Sequence, residues 1–438
     1  MKKLKLLALV IFILLLAVTL VSCGSTPAEE VPTVELSNEA KACIGCHSDE
    51  TVGIVLDWDG SAHEKEGVSC IDCHEVNPDS PMVLQDVEGH EGLPVTLSML
   101  VPPSVCGDCH EDALAQFNES GHYKAHHQPI SSDSMTALFE VQVGQNHPGF
   151  STTTSETGCI QCHGTEIDVD ETGHPTAETY PSAGIGNVYP NGDIGNCTAC
   201  HSRHTFDIAE ARKVNSCSGC HVDPNTVYES ALHGQLFATE GQEWVWDSPS
   251  GEWEPGDYRA PTCATCHMSG IAALQPTHNV TQRLYWTLWA TSSEVRNSES
   301  IMDGHYGDGV AGREEMKQVC ASCHASTHTE AHFASGDQAV MLYNVAYWQP
   351  IEAMRLKLEA AGLLKENPWE DQFQILQYTI WQDYGRLARQ GSMMGSPDVA
   401  VGEGFFMLQQ KLTLATAIYE TRMETGEIET ALSWNLFP

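Results

Sequence analysis

Eight times along this chain, two cysteines three positions apart are followed at once by a histidine. They are Cys43, Cys46 and His47; Cys70, Cys73 and His74; Cys106, Cys109 and His110; Cys159, Cys162 and His163; Cys197, Cys200 and His201; Cys217, Cys220 and His221; Cys263, Cys266 and His267; and Cys320, Cys323 and His324. Thiols at i and i+3 leave one helical turn on the same side, spaced to reach the two vinyl groups of one porphyrin, and the following histidine comes under its iron. This is the attachment signature of c-type haem. A single Cys-x-x-Cys serves equally well as half a zinc site, a disulfide or a thioredoxin-like redox pair. Eight copies, each with its histidine, set those readings aside, so eight covalently bound haem c groups are expected, with iron rather than side chains doing the redox work.

Each iron has a second axial position, which an electron carrier fills and a catalytic centre leaves to substrate. Thirteen histidines lie outside the motifs: His63, His90, His122, His126, His127, His147, His174, His204, His233, His278, His305, His328 and His332. They suffice to fill every second position, so the count alone does not decide whether one iron is open. Met268 follows the seventh motif too closely to cross the ring, and Met393-Met394 reads as packing.

The motifs absorb sixteen of the 17 cysteines. The remaining one, Cys23, ends an N-terminal export signal with Lys2, Lys3 and Lys5, then an apolar run from Leu6 to Val21, then Val21-Ser22-Cys23-Gly24, which resembles a bacterial lipobox. Residues 1–22 are expected to be a lipoprotein signal peptide and Cys23 the lipidated residue; an uncleaved membrane anchor is the alternative. Either reading puts the haem segment outside the cytoplasmic membrane, facing the periplasm or the cell exterior. Residues 23–40 have the composition of a flexible tether. A net charge of −38, before any propionates, argues against nucleic acid or bare anionic lipid as partners and favours basic redox proteins such as other cytochromes.

The motifs are confined to residues 43–324 at irregular intervals, which excludes a one-unit repeat. With porphyrin supplying much of the core, short helices joined by turns suffice. The fold class expected is mainly α with extensive coil, a multihaem core at 41–335 followed by a bundle of long helices at 336–438. In the second part Trp369, Phe373, Leu376, Ile380, Tyr384 and Leu387 form one helical stripe. Phe405, Leu408, Leu412, Ala415 and Tyr419 form another, and a helix from about Asp337 to Leu364, kinked at Pro350, is expected before them. Such stripes make a bundle core or a subunit contact.

The text between the motifs carries a resemblance. Val188-Tyr189-Pro190-Asn191-Gly192-Asp193-Ile194-Gly195-Asn196 before the fifth motif, Ser202-Arg203-His204-Thr205-Phe206 after it, Ala260-Pro261-Thr262 before the seventh, and Thr277-His278-Asn279-Val280-Thr281-Gln282-Arg283-Leu284 after it are similar to the hydroxylamine oxidoreductase family of octahaem cytochromes. Gly385-Arg386-Leu387-Ala388-Arg389 and Met393-Met394-Gly395 extend the likeness. It implies a helical, often trimeric subunit in which bis-histidine haems feed a five-coordinate haem at the fourth motif, with His163 as proximal ligand and hydroxylamine, hydrazine or nitrite as substrate. By position His63, His122, His204, His233 and His278 match distal ligands of that family, with His90, His328 and His332 as further candidates.

This chain also departs from the pattern. Where oxidising members have Asp-His-Pro after the sixth motif, it has Val222-Asp223-Pro224-Asn225, which leaves Asp223 as the candidate for proton transfer. The cross-linking tyrosine of oxidising members has no counterpart between 325 and 342, and Tyr343 and Tyr347 come next. Family histidines in the tail give way to Gln382-Asp383 and Val401-Gly402-Glu403. The reading is an octahaem oxidoreductase working on a small nitrogen compound, more in the reducing than the oxidising sense, against the alternative of a non-catalytic electron conduit.

Overall fold

The computed structural model describes residues 35–123, 125, 160–284 and 310–429. Cys23, Cys159, His126, His127, His147 and His305 lie outside them. The described part is mainly helical and has no sheet, only six isolated bridges. No described helix is long and apolar enough to cross a membrane.

The motifs sit on short helical turns whose ends are tied locally. Helix α1 (Asn38–Glu50) carries the first and starts at Ser37, whose Oγ accepts from the Ala40 N–H at 3.0 Å. In α2 (Cys70–His74) the Asp72 carboxylate accepts from the N–H and the hydroxyl of Ser69, each at 2.7 Å. Helix α3 (Glu111–Glu119) follows the third motif, and α4 (Ile160–His163) holds the described part of the fourth. Helices α5 (Val222–Ser230) and α6 (Leu232–Glu240) follow the sixth motif and meet at Ala231. In α7 (Cys263–His267), Thr265 Oγ1 accepts from the Thr262 N–H at 3.0 Å. Capping by neighbours one turn away holds four- or five-residue helices that propensity alone leaves unstable.

Helix α8 (Val310–Ala321) leads into the eighth motif, and α9 (Ser326–Tyr343) begins just after it. Arg313 on α8 clamps Asp337 on α9 through two bonds of 2.8 Å. The helix expected from about Asp337 therefore starts eleven residues earlier, at Ser326, and the expected division at 335/336 falls inside it. The kink expected at Pro350 is a π turn, Asn344–Trp348, just ahead of it. Pro350 has no N–H for the carbonyl of Ala346 and its ring crowds that carbonyl, so the backbone widens there before α10 (Gln349–Ala360) resumes. Wide turns at Thr379–Asp383 and Val399–Phe405 likewise break the remaining run into α11 (Gln372–Tyr378), α12 (Tyr384–Met393) and α13 (Phe406–Thr425).

Both apolar stripes face inward. Phe373, Leu376 and Ile380 join Leu408 and Ala415 in one core with Tyr343, Trp348, Ile351, Leu358 and Ile418. The wide turn Val399–Phe405 lies against α12 so closely that a Cβ on Gly404 meets Ala388 Cα at 2.6 Å and its N at 2.7 Å. Gly404→Ala is therefore expected to destabilise the C-terminal helices by about 1–3 kcal/mol, read as a lower urea midpoint with an unchanged slope. An unchanged midpoint rules out the close approach.

Candidate functional site: facing histidine pairs

Six motif histidines each face a second imidazole across a gap of one size. His47 faces His90 with ring centres 6.0 Å apart. His74 faces His204 at 6.4 Å, and His110 faces His63 at 6.2 Å. His201 faces His278 at 6.4 Å, His221 faces His122 at 5.9 Å, and His324 faces His233 at 6.0 Å. A metal bonded to one nitrogen of each ring at about 2 Å puts ring centres a little over 6 Å apart, too far for stacking and right for iron in a porphyrin.

The rings are prepared for that role. Burial, helped by the facing ring, lowers the pKa of His63, His122, His204 and His233, and burial with the nearby His110 lowers that of His278; His122 is brought down to about 4. They are thus neutral, as a metal ligand must be. The second ring nitrogen is often engaged: His74 Nδ1–H donates to Ser98 O at 2.8 Å and His163 Nδ1–H to Ala125 O at 3.1 Å, which leaves Nε2 as the nitrogen that would ligate iron. Beside His221 and His233, Val222 and Leu232 present 62% and 67% of their surface, an apolar face that suits a porphyrin. These observations fit haem c.

His90 thus stands with the stronger candidates. His328 does not face across such a gap: it stacks on His324 at 4.5 Å, too close for an iron between the rings. His332 spends Nε2 on the carbonyl of Met393 at 2.7 Å. Both project from one face of α9, where sequence spacing alone makes them look available.

Neighbouring thiols give the order in which the motifs adjoin. Cys70 lies near Cys43, and Cys73 near Cys106 and Cys109. Cys106 adjoins Cys197, Cys200 lies beside Cys217 and Cys220, and Cys217 adjoins Cys263. Cys266 lies close to Cys320 and Cys323. The line therefore runs first, second, third, fifth, sixth, seventh, eighth. The fourth motif joins it from the side, at the sixth, where Cys162 adjoins Cys220 and His163 lies near His221.

Known proteins of similar sequence point to the same cofactor. A family profile described as a sevenfold multi-haem CxxCH cytochrome matches residues 191–367, and one for cytochrome c554 and c-prime matches 105–202. A probable nitrite reductase-hydroxylamine oxidoreductase fusion protein of Kuenenia stuttgartiensis is 25% identical over 368 residues, covering 75% of this chain and 38% of that protein. The chain is thus similar to multihaem cytochromes and to proteins of the hydroxylamine oxidoreductase type. The cytochrome thus spans well under half the length of that relative. Its fold is shared with a hypothetical multiheme protein, TM-score 0.74 and 22% identity over 92% of this chain and 99% of the other. It is shared also with a chain of the reducing HAO-like protein complex of Kuenenia stuttgartiensis, TM-score 0.61 and 19% identity over 88% and 86%. As a multihaem c-type cytochrome it binds haem c covalently and transfers electrons.

Asp223 of the cytochrome opens α5 two residues after His221, and Arg386 Nη1 of α12 approaches its Oδ2 at 3.4 Å. Asp383, at the end of the wide turn before α12, belongs to the same group. Crowding by protein and the like charge of Asp223 raise its pKa to about 6 against the pull of Arg386 and Lys411. In sequence, Asp383 figures only as a replaced histidine. Tyr343 and Tyr347 are both buried in the core of the C-terminal helices, and the Arg389 guanidinium lies 4.1 Å from the centre of the Tyr343 ring.

Proposed function

We propose that this cytochrome is an octahaem reductase of a small nitrogen compound, nitrite or hydroxylamine, exported and tethered by a lipid on Cys23. Electrons enter along the line of motifs from a basic redox protein drawn by the negative charge, and leave to substrate at the fourth motif. The observation that carries this reading is the side position of that motif: a centre off the main line is dispensable for transport and suited to exchange with a small molecule. The names of the fusion relative and of the reducing complex agree with it.

Haem c bound at the motifs supplies one-electron chemistry at iron. Cys159, Cys162 and His163 would hold the group at the fourth motif, with Ala125 O fixing the His163 ring. Reducing nitrite or hydroxylamine consumes protons. Asp383 is open to solvent on one side and titrates near 6, so it collects protons from water, and Arg386 holds Asp223 beside it. The donating form of Asp383 is the protonated one, so the reductive rate is expected to fall as pH rises through about 6. Asp383→Asn is expected to remove that limb from the pH profile; an unaltered profile removes Asp383 from the proton path.

A second reading, an electron conduit, is favoured by the continuity of the line without the fourth motif. The ferric holoprotein separates the two. A high-spin signal from about one haem in eight, perturbed by added nitrite or hydroxylamine, supports the reductase. A wholly low-spin spectrum indifferent to both leaves the conduit. Mass spectrometry of the exported chain, read for eight porphyrins and a diacylglyceryl group on Cys23, tests the stoichiometry and the anchor.

A further inference from the structure

Arg283 is one of three arginines in the described residues that are no more than 2% exposed, with Arg389 and Arg422. Arg422 neutralises a buried aspartate and Arg389 covers Tyr343. Arg283 instead lies against a haem motif. Its Nη1 donates to the carbonyl of Cys266 at 3.3 Å and its Nη2 to that of Gln275 at 3.1 Å. Its Nε makes no hydrogen bond and stands 3.6 Å from Glu315 Oε2 on α8. The Glu315 carboxylate is partly occupied elsewhere: both its oxygens accept from Gln282 Nε2, at 3.1 and 2.9 Å. It is also partly solvated, whereas the guanidinium has no access to water. The cation is therefore incompletely compensated, in a low-dielectric position, one residue from His267.

We propose that Arg283 sets the reduction potential of the haem held by Cys263, Cys266 and His267, and that Glu315 attenuates it. Adding an electron to an iron removes one unit of positive charge, so a fixed buried cation favours the reduced state and raises the potential. The seventh motif lies between the sixth, through Cys217 and Cys263, and the eighth, through Cys266 with Cys320 and Cys323. An electron-attracting station there holds charge between the branch point and the end of the line. Glu315 is on the helix that carries Cys320, so the attenuating charge is fixed to the neighbouring motif. The inference needs haem at the seventh motif and does not depend on which substrate, if any, the fourth motif serves.

The test is spectroelectrochemical titration of the full-length holoprotein, with complete haem loading first checked by mass. In Arg283→Gln, one haem component is expected to move to lower potential by at least a tenfold change in its reduced-to-oxidised ratio, about 59 mV for one electron. Glu315→Gln is expected to move the same component upward, and Arg283→Lys, which keeps the charge, to stay close to wild type. Titration curves that superimpose for wild type and Arg283→Gln overturn the proposal, as does a uniform shift of every component. Should Arg283→Gln not mature, Glu315→Gln decides alone: an upward shift of one component supports the proposal, and its absence overturns it.

Discussion

Replacing Asp371 by alanine is expected to cost the C-terminal helices about 3–5 kcal/mol, a fall in Tm of roughly 10 °C. Its carboxylate is 0% exposed and gathers donors from three directions. Oδ1 caps α11, accepting from Phe373 N–H at 2.8 Å and Gln374 N–H at 3.3 Å. Oδ2 accepts from Lys365 N–H at 2.8 Å, and Arg422 Nη1 of α13 reaches the two oxygens at 3.0 and 2.9 Å. Losing the cap accounts for about 1 kcal/mol. The larger part comes from Arg422, 2% exposed, which keeps its charge and loses its counter-ion, retaining the carbonyl of Leu363 at 3.0 Å. A double variant, Asp371→Leu with Arg422→Met, removes both charges and is expected to recover a good part of the loss. Thermal unfolding followed at 222 nm reads both. A double variant no more stable than the single one rules out the stranded charge as the cause.

This pair also marks a limit of sequence reading. Asp371 and Arg422 stand 51 positions apart with no local pattern to connect them, whereas cysteine spacing is a local constraint and was readable at once. Both apolar stripes were readable for the same reason, because helical periodicity is local. The early start of α9 was not, because nothing between His324 and Asp337 distinguishes a helix from the coil expected between haems. The distal histidines fall between these cases. Resemblance supplied His63, His122, His204, His233 and His278 as a set, but which of them faces which motif is a property of the folded chain. His90 and His328 looked alike in sequence; only the ring distances, 6.0 Å to His47 against 4.5 Å to His324, part them. Asp383 gained its interest from Asp223 and Arg386 across the contact of α5 with α12.

The pairing is most exposed to test at His122. The sixth motif adjoins the fourth, fifth and seventh, so its iron is the junction of the line. His122 reaches it from just beyond α3, where Ser120 Oγ accepts from the His122 N–H at 3.2 Å and donates to Phe117 O at 2.7 Å, fixing the approach. In His122→Ala the iron keeps His221 and loses the opposite ligand, 5.9 Å away ring to ring. One haem is then expected to pass from low to high spin, and reduction of the line from one end to become biphasic as electrons stall at the junction. Added imidazole fits the space left by the side chain and is expected to restore the low-spin spectrum. His328→Ala is the control: its ring lies on the flank of His324, and its removal is expected to leave the spin state unchanged. A His122→Ala spectrum identical to wild type, or a His328→Ala spectrum that gains high-spin signal, contradicts ligation by facing pairs, because the 6 Å gap alone distinguishes the two histidines.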